Sequence, residues 1–546
     1  MSDSSGVTRY LGGEAGHRSF FGGTRNKTRI TLVGSFLLFG LVFTPVLGWP
    51  AIVIALVGVG VVFALTAQTH RGSILERRKK RARWRSRSRL GTNRFVPYDV
   101  GGWDQLHAAA VQGSKQERAA AGRQIAAMRA NPDGADGMGW LQYGPNEPGI
   151  AWHHPTGEDP YFSVAFRVSG QLRGVASSGE LTRAAQGWGA FLAGRAISSS
   201  RVSGVQTLTR VLPPDTARQQ QWVAQALDPA ATIDEQQSYR DVIFRTSEDA
   251  MVQRHYVIVS WPLNADFIDS ASKYGDGRDG WRALMRAEID SIDHGLEEAH
   301  MGAVAPLTAR QTAALMLHQQ NPSYPVDAVK RADPLSFGLP SHDEFSAHVV
   351  SGVDPSSGDN VEWWHRTAAI RGEALAVAAR SQLWMLDLLI GRELGFVRSV
   401  SFHLNLVPAA DAKAAARRDL TSDRSEAIAD AARGLIEDAD TRIALTAAGR
   451  RHQDLAAGSH HHGVEWIGYV TISAPTRDAL AVASRQLAEV CNTGLGVDRL
   501  EWQDSYQSAA SGTTWPIGRG LKTSRPTFTT RVYAGLAGRS EKEAIS

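Results

Sequence analysis

From Ile30 to Ala67 the chain runs for 38 positions without a charged side chain. A bilayer core needs about 20 apolar residues per helix, so the run is too long for one span and fits two. Gly48-Trp49-Pro50 interrupts it near the middle with a turn glycine, an interfacial Trp and a helix-starting Pro. The pattern predicts a helical hairpin, Ile30–Leu47 and Trp49–Ala67. A soluble core rarely strings together so many uncharged residues. A cleavable signal peptide has a shorter apolar region that starts earlier.

Beyond residue 112 the rhythm switches between period two and the helical period. Gly113–Ala130 reads as a short polar helix closed by Asn131-Pro132-Asp133-Gly134. Phe162, Val164, Phe166 and Val168 alternate as in a half-buried strand. A helix over Glu180–Gly194, a strand over Arg201–Leu212, a helix over Asp215–Leu227 and a strand over Met251–Trp261 follow. Trp281, Met285, Ile289, Ile292 and Leu296 make one apolar helix face. Thr308 and Gln311 form a capping box for a further helix that stops at Asn321-Pro322. A second series begins with a strand at Trp363–Ile370 and a helix at Glu373–Gly391. Val400, Phe402, Leu404 and Leu406 then alternate with Ser401, His403 and Asn405, which predicts a strand with one buried face. Helical sequence runs from Ala410 to Leu455, and a strand covers Val464–Ile472. Thr476 caps a helix reaching Cys491, and Val497–Trp502 is a last strand. This alternation predicts an α+β class, with units in a ferredoxin-like style behind the transmembrane hairpin. No internal sequence repeat stands out.

The expected organisation is a flexible N-terminus (1–29), the hairpin (30–67), a basic juxtamembrane linker (68–112), two α+β domains (113–335 and 336–521) and a tail (522–546). Charge sharpens this division. Residues 1–94 hold 16 Lys+Arg against 3 Asp+Glu, a net of +13, which leaves −9 of the whole-chain +4 for the remainder. The high pI of about 9.1 therefore belongs to the membrane-proximal segment. Direct nucleic-acid binding is not expected of the chain as a whole. Basic residues flank the apolar run on both sides, and its turn carries none. The positive-inside rule places both termini in the cytoplasm of an inner membrane protein. Arg77, Arg78, Lys79, Lys80 and Arg81 are expected to touch anionic lipid headgroups, worth about 1 kcal/mol per cation near the surface. The alternating Arg83, Arg85, Arg87 and Arg89 read as flexible linker.

Chemistry is sparse. Cys491 stands alone, so no disulfide or Cys-based zinc site forms within one chain, and packing is its expected role. No phosphate-binding loop is present: Gly518-Arg-Gly520-Leu-Lys522 lacks the spacing that wraps phosphates. Gly58 and Gly60 lie in the second apolar helix, where small residues permit close helix packing. His460-His461-His462 sit on an extended loop, where adjacent imidazoles do not converge on one ion, so they are read as solvated. His153-His154 is read the same way, and His403 as facing solvent or an interface. No nucleophile-elbow or zinc-protease signature occurs. The reading is of a non-enzyme without cofactor or metal. Trp363, Trp364 and Trp515 are either partner anchors or core residues.

Trp364-His365-Arg366-Thr367, the strand Val400–Leu406, Tyr469–Ala474 and Trp515-Pro516-Ile517-Gly518-Arg519-Gly520-Leu521 carry a resemblance. The N-terminal hairpin resembles the small PrgI-type inner-membrane subunit of type IV secretion and conjugation systems. The rest resembles the N-terminal, non-nucleotide-binding region of VirB/TrbE/CagE-type secretion ATPases, whose last motif precedes the motor. The resemblance implies a non-catalytic scaffold that anchors a separate secretion ATPase within a larger oligomeric complex, with Trp515 and Arg519 as docking candidates. It carries over no catalytic residue, because the phosphate-binding segment is missing. An EccE-like component of a type VII secretion membrane complex is the alternative, and a membrane-tethered enzyme of unknown chemistry the second.

Overall fold

The computed structural model describes residues 9–11, 27–66 and 73–520, without 172–175, 198, 215–222, 224, 227, 229, 248–250, 327–331, 356, 377, 382, 392–393, most of 433–461, and 498. The helices in chain order are α1 (Lys27–Leu47), α2 (Trp49–Thr66), α3 (Ile74–Leu90), α4 (Val100–Gln112), α5 (Lys115–Ala127), α6 (Ser178–Arg195), α7 (Ile233–Ser247), α8 (Ala265–Ser272), α9 (Gly277–Glu298), α10 (Ala309–Gln320), α11 (Leu386–Ile390), α12 (Ala409–Ala432), α13 (Arg477–Thr493) and α14 (Gln507–Gly512). The strands are β1 (Arg9–Leu11), β2 (Arg94–Pro97), β3 (Met128–Arg129), β4 (Met138–Trp140), β5 (Ala151–His153), β6 (Tyr161–Val168), β7 (Gly204–Leu212), β8 (Val252–Pro262), β9 (Val304–Pro306), β10 (Ser341–Asp343), β11 (His348–Val353), β12 (Asn360–Arg371), β13 (Ala378–Arg380), β14 (Val397–Val407), β15 (Gly463–Ala474) and β16 (Glu501–Trp502). This is a mixed α+β fold.

α1 and α2 pack as a hairpin turning at Gly48, whose φ of +65° suits glycine. A Cβ on Gly58 would collide with the Phe36 ring, and one on Gly40 would come within 2.9 Å of Ala55. Small residues therefore set how closely the two helices approach. α2 is long and apolar enough to cross a membrane; the apolar part of α1, Thr31–Leu47, is shorter.

Among the described residues the remaining chain builds a 14-stranded sheet, with β13 paired instead to β1. Within it, β6, α6, β7, α7, β8, α8, α9 and β9 follow one another, and their strands lie side by side as β9-β6-β8-β7. In terms of chain order that is fourth, first, third, second. β12, β14, β15, α13 and β16 repeat the arrangement as β16-β12-β15-β14. The two "second" strands, β7 and β14, pair antiparallel from Arg398↔Val211 to Asn405↔Gly204. The sheet thus contains a structural repeat that no residue-by-residue match announces.

The sheet also coils. Its main path runs β3-β2-β10-β11-β12-β15-β14-β7-β8-β6-β5-β4. Laid flat at normal strand spacing, its edges would lie about 50 Å apart. Yet edge strands β3 and β4 are joined by residues 130–137 alone, which reach about 30 Å when fully extended. That turn packs against α14: a Cβ on Gly134 would sit 2.8 Å from Gly512 Cα.

Alternation along the strands gives the two faces opposite characters. Phe162, Val164, Phe166, Val205, Val257, Val259 and Trp261 join α6 and α9 in one apolar core. Ala368, Ile370, Val400, Val470 and Ile472 join α13 in a second. The other face presents Thr367, Thr471, Ser399 and Arg210 in one cross-strand row, with Ser401, His403 and Gln206 beyond it. This polar face is covered as well. α10 lies on it with every residue from Thr312 to Gln320 buried, and residues 503–519 lie beside α10.

Several expectations change. His403, expected to face solvent or an interface, is buried, with Nε2 2.8 Å from Thr513 O. His153 is buried too. The expected helix Glu373–Gly391 is a 3-10 turn, strand β13 and the short α11. Its backbone is taken by tertiary partners: Leu375 bridges Val497, Ala376 N donates to Gly496 O, and β13 pairs with β1. Those pairings override the helix propensity of an Ala- and Leu-rich segment. Only Glu501–Trp502 of the expected last strand is a strand. The Arg83–Arg89 segment, read as flexible, is helical within α3. The expected helix Asp215–Leu227 and most of 433–455 lie largely outside the described residues.

Candidate functional site

The basic segment that follows α2 becomes a defined surface through α3. Ser73 caps the helix, accepting from Glu76 N while Glu76 reaches back to Ser73 N. Gly91 ends it at φ +77°, where an added Cβ would lie 2.5 Å from Arg123 O of α5. One face of α3 is docked. Glu76 lies 3.9 Å from the Arg499 guanidinium, and Lys80 Nζ donates to Trp502 O at 2.7 Å. Further along, Arg87 enters the protein. Its Nη1 donates to Asp343 Oδ2 at 2.5 Å and Ser505 O at 2.9 Å; its Nη2 donates to Asp133 Oδ2 at 3.1 Å. Its guanidinium also lies 4.4 Å from the Tyr506 ring centroid. Ser508 closes the network, its N donating to Asp343 Oδ1 and its Oγ to Asp133. Burial pushes the Asp343 carboxyl up to about 6, against the opposing pull of Arg87.

The opposite face of α3 leaves Arg78, Lys79, Arg81, Arg85 and Arg89 exposed, and Arg83 is exposed beside the docked face. Of the five residues expected to touch lipid, Arg78, Lys79 and Arg81 belong to this open face; Arg77 and Lys80 are half-buried. A rigid helix carrying fixed cations presents a denser charge than a flexible linker would. Arg87, Asp133, Asp343 and Ser508 were not singled out from the sequence. The available signal was the spacing of Glu76, Lys80, Trp84 and Arg87, which places them on one helical face.

Trp515, expected as an exposed docking aromatic or a core residue, is 2% exposed and packs with Phe337, Met316 and Ile517. Trp363 and Trp364 are half-buried. Arg519 is engaged within the chain, paired with Asp136 and, at 3.3 Å, with Glu158. Burial opposes ionisation of Asp136, but the hydrogen bond and charge of Arg519 outweigh it and hold the carboxyl below its usual range. The 505–519 segment is fixed by donors to its backbone. Gln206 Nε2 donates to Trp515 O at 2.9 Å and its Oε1 accepts from Gly518 N at 2.8 Å. Gln319 Nε2 donates to Thr514 O, and Tyr161 OH to Ile517 O.

His153 Nε2 lies 2.8 Å from Ser163 Oγ, and its ring stacks on Tyr161. His153 and Ser163 are both buried, and burial drives His153 down to about 3. The pair is a neutral hydrogen bond inside the fold, closed to a substrate. Among the described residues no group of three or more His, Cys, Asp or Glu side chains is placed to hold a metal ion. His460 and His461 lie outside the described residues. No family model matches the chain, and no curated protein matches it.

Proposed function

We propose that this protein is a non-catalytic inner-membrane scaffold of a type IV secretion or conjugative DNA-transfer apparatus, which anchors a separate secretion ATPase. In this reading α1 and α2 cross the membrane twice, both termini are cytoplasmic, and two ferredoxin-like units offer docking surfaces. The observation that carries it is the tethering of both flanks of the apolar hairpin to one body. Before the hairpin, β1 pairs with β13, from Arg9↔Arg380 to Leu11↔Ala378. After it, α3 is locked to the sheet through Arg87. Two such tethers favour an even number of crossings. The exposed cations of α3 then lie where the hairpin leaves the bilayer, in contact with anionic lipid.

Topology is tested by maleimide labelling of Phe20→Cys and Leu90→Cys. Cys491 is buried and burial pushes its thiol up to about 12, so it stays silent. Both introduced cysteines are expected to react only from the cytoplasmic side; external labelling of either overturns the orientation. The partner is tested by affinity purification from native membranes. Co-purification of a hexameric ATPase supports the reading, and recovery of the protein alone under conditions that preserve such complexes counts against it.

A further inference from the structure

Among the described residues Arg210 is a buried cation with two unpartnered nitrogens. It lies on β7 in the polar face, opposite Ser399 of β14 and Arg254 of β8. It is 1% exposed. Its Nη1 donates to Ser399 Oγ at 3.0 Å, but Nε and Nη2 have no hydrogen-bond partner. Those two N–H groups form one edge of the guanidinium fork, the edge that grips a carboxylate or phosphate bidentately.

The surroundings deepen the imbalance. The charged and titratable groups acting on Arg210 are Tyr256 and Arg254, and no described carboxylate is among them. The charge of Arg210 is felt by His318 of α10 and by His365 of β12. His318 Nδ1 is taken by Tyr324 O at 2.6 Å, while its Nε2 is buried and unpartnered. The carbonyls at the end of α10 are committed: Met316 O accepts from Gln320 Nε2, Leu317 O from Asn321 N, and Gln320 O pairs with His365 Nε2. Their dipole opposes a buried cation's charge only partially. An unpaired guanidinium out of water is costly, and a fold keeps one where a counter-charge arrives.

We propose that a small oxyanion of the phosphate or carboxylate class binds between β7, β8 and α10, held by the Nε/Nη2 edge of Arg210, with the unpartnered His318 Nε2 as a further group on α10. The site is independent of the scaffold reading, since it lies within the sheet and not on α3. A bound anion would tie α10 to the β7–β8 pair and complete the polar layer.

The test uses the full-length protein in detergent and radiolabelled inorganic phosphate, by equilibrium dialysis at constant ionic strength. Saturable binding near one phosphate per chain is expected. Arg210→Gln is expected to weaken it at least about tenfold, and Arg210→Lys to give an intermediate loss, because the charge survives without the fork. Arg89→Gln, on the open face of α3, should leave it unchanged. Absence of saturable binding by the natural sequence, or equal affinity in Arg210→Gln, overturns the proposal. Should Arg210→Gln fail to fold, thermal stability decides: phosphate must raise the melting temperature of the natural protein above that in matched chloride. A buried water completing Arg210 instead would leave the two salts indistinguishable, and that result also overturns it.

Discussion

Arg85 and Arg89 are exposed, while Arg87 between them reaches the buried Asp343, the half-buried Asp133, a backbone carbonyl and a tyrosine ring. Arg87→Leu removes the cation and leaves Asp133 and Asp343 facing each other. A loss of about 3–5 kcal/mol is expected, measured by denaturant unfolding, because breaking a buried pair strands its partner. Arg85→Leu should stay within about 0.5 kcal/mol. Gln206 offers a second test. Gln206→Leu strands Gly518 N, while the carbonyls of Thr513 and Trp515 keep His403 Nε2 and Ile517 N. About 1–3 kcal/mol should be lost for a buried group left unsatisfied, together with faster proteolysis near residue 519. The sequence displayed Gln206, Ser401 and His403 as polar positions on strands, and that much was legible. What it hid was their cover, because the segment that buries them lies more than a hundred residues further on. Period-two alternation says which side chains share a face and is silent about what lies on it.

At the scale of elements, caps were the most reliable signal. Thr308 with Gln311 and Thr476 each start a helix where expected. The 373–391 segment departs from its expected helix because its neighbours in space, Val497, Gly496 and β1, are remote in sequence. α3 departs from its expected flexibility for a different reason: a run of like charges on one helix discourages it locally, and docking of the other face supplies the compensation. The open face can be separated from the docked one. Replacing Arg78, Lys79 and Arg81 with Gln removes cations of the open face while sparing Lys80 and Arg87. Unfolding stability should change by no more than about 0.5 kcal/mol per site. Orientation should loosen, read as a newly accessible fraction of the Leu90→Cys label from outside. An unchanged label would reduce the open face to a solubilising surface.

The whole molecule carries an acid-sensitive interior. Burial pushes His153 down to about 3, and His365 and His403 to about 4, each with the ring neutral in the fold. In the unfolded chain these rings take up protons near pH 6.5. The folded pKa lies below the unfolded one, so stability is fully present above pH 6.5. It falls as pH drops toward 4, by about 1.4 kcal/mol per pH unit for each histidine. Unfolding midpoints measured between pH 7 and 4.5 should show this slope, offset below pH 6 by one opposite share from Asp343, whose raised carboxyl takes up a proton in the fold, and His403→Gln should make it shallower by one histidine's share. The short outer strands of the coiled sheet have their own consequence. β3 is 2 residues long and β4 is 3, and one connection ties them together. Neither offers the run of open backbone that strand addition requires, so these two edges give a passing chain almost no template for pairing or fibril growth. A peptide blocker shaped as an extra strand would therefore find no long edge to bind at β3 or β4.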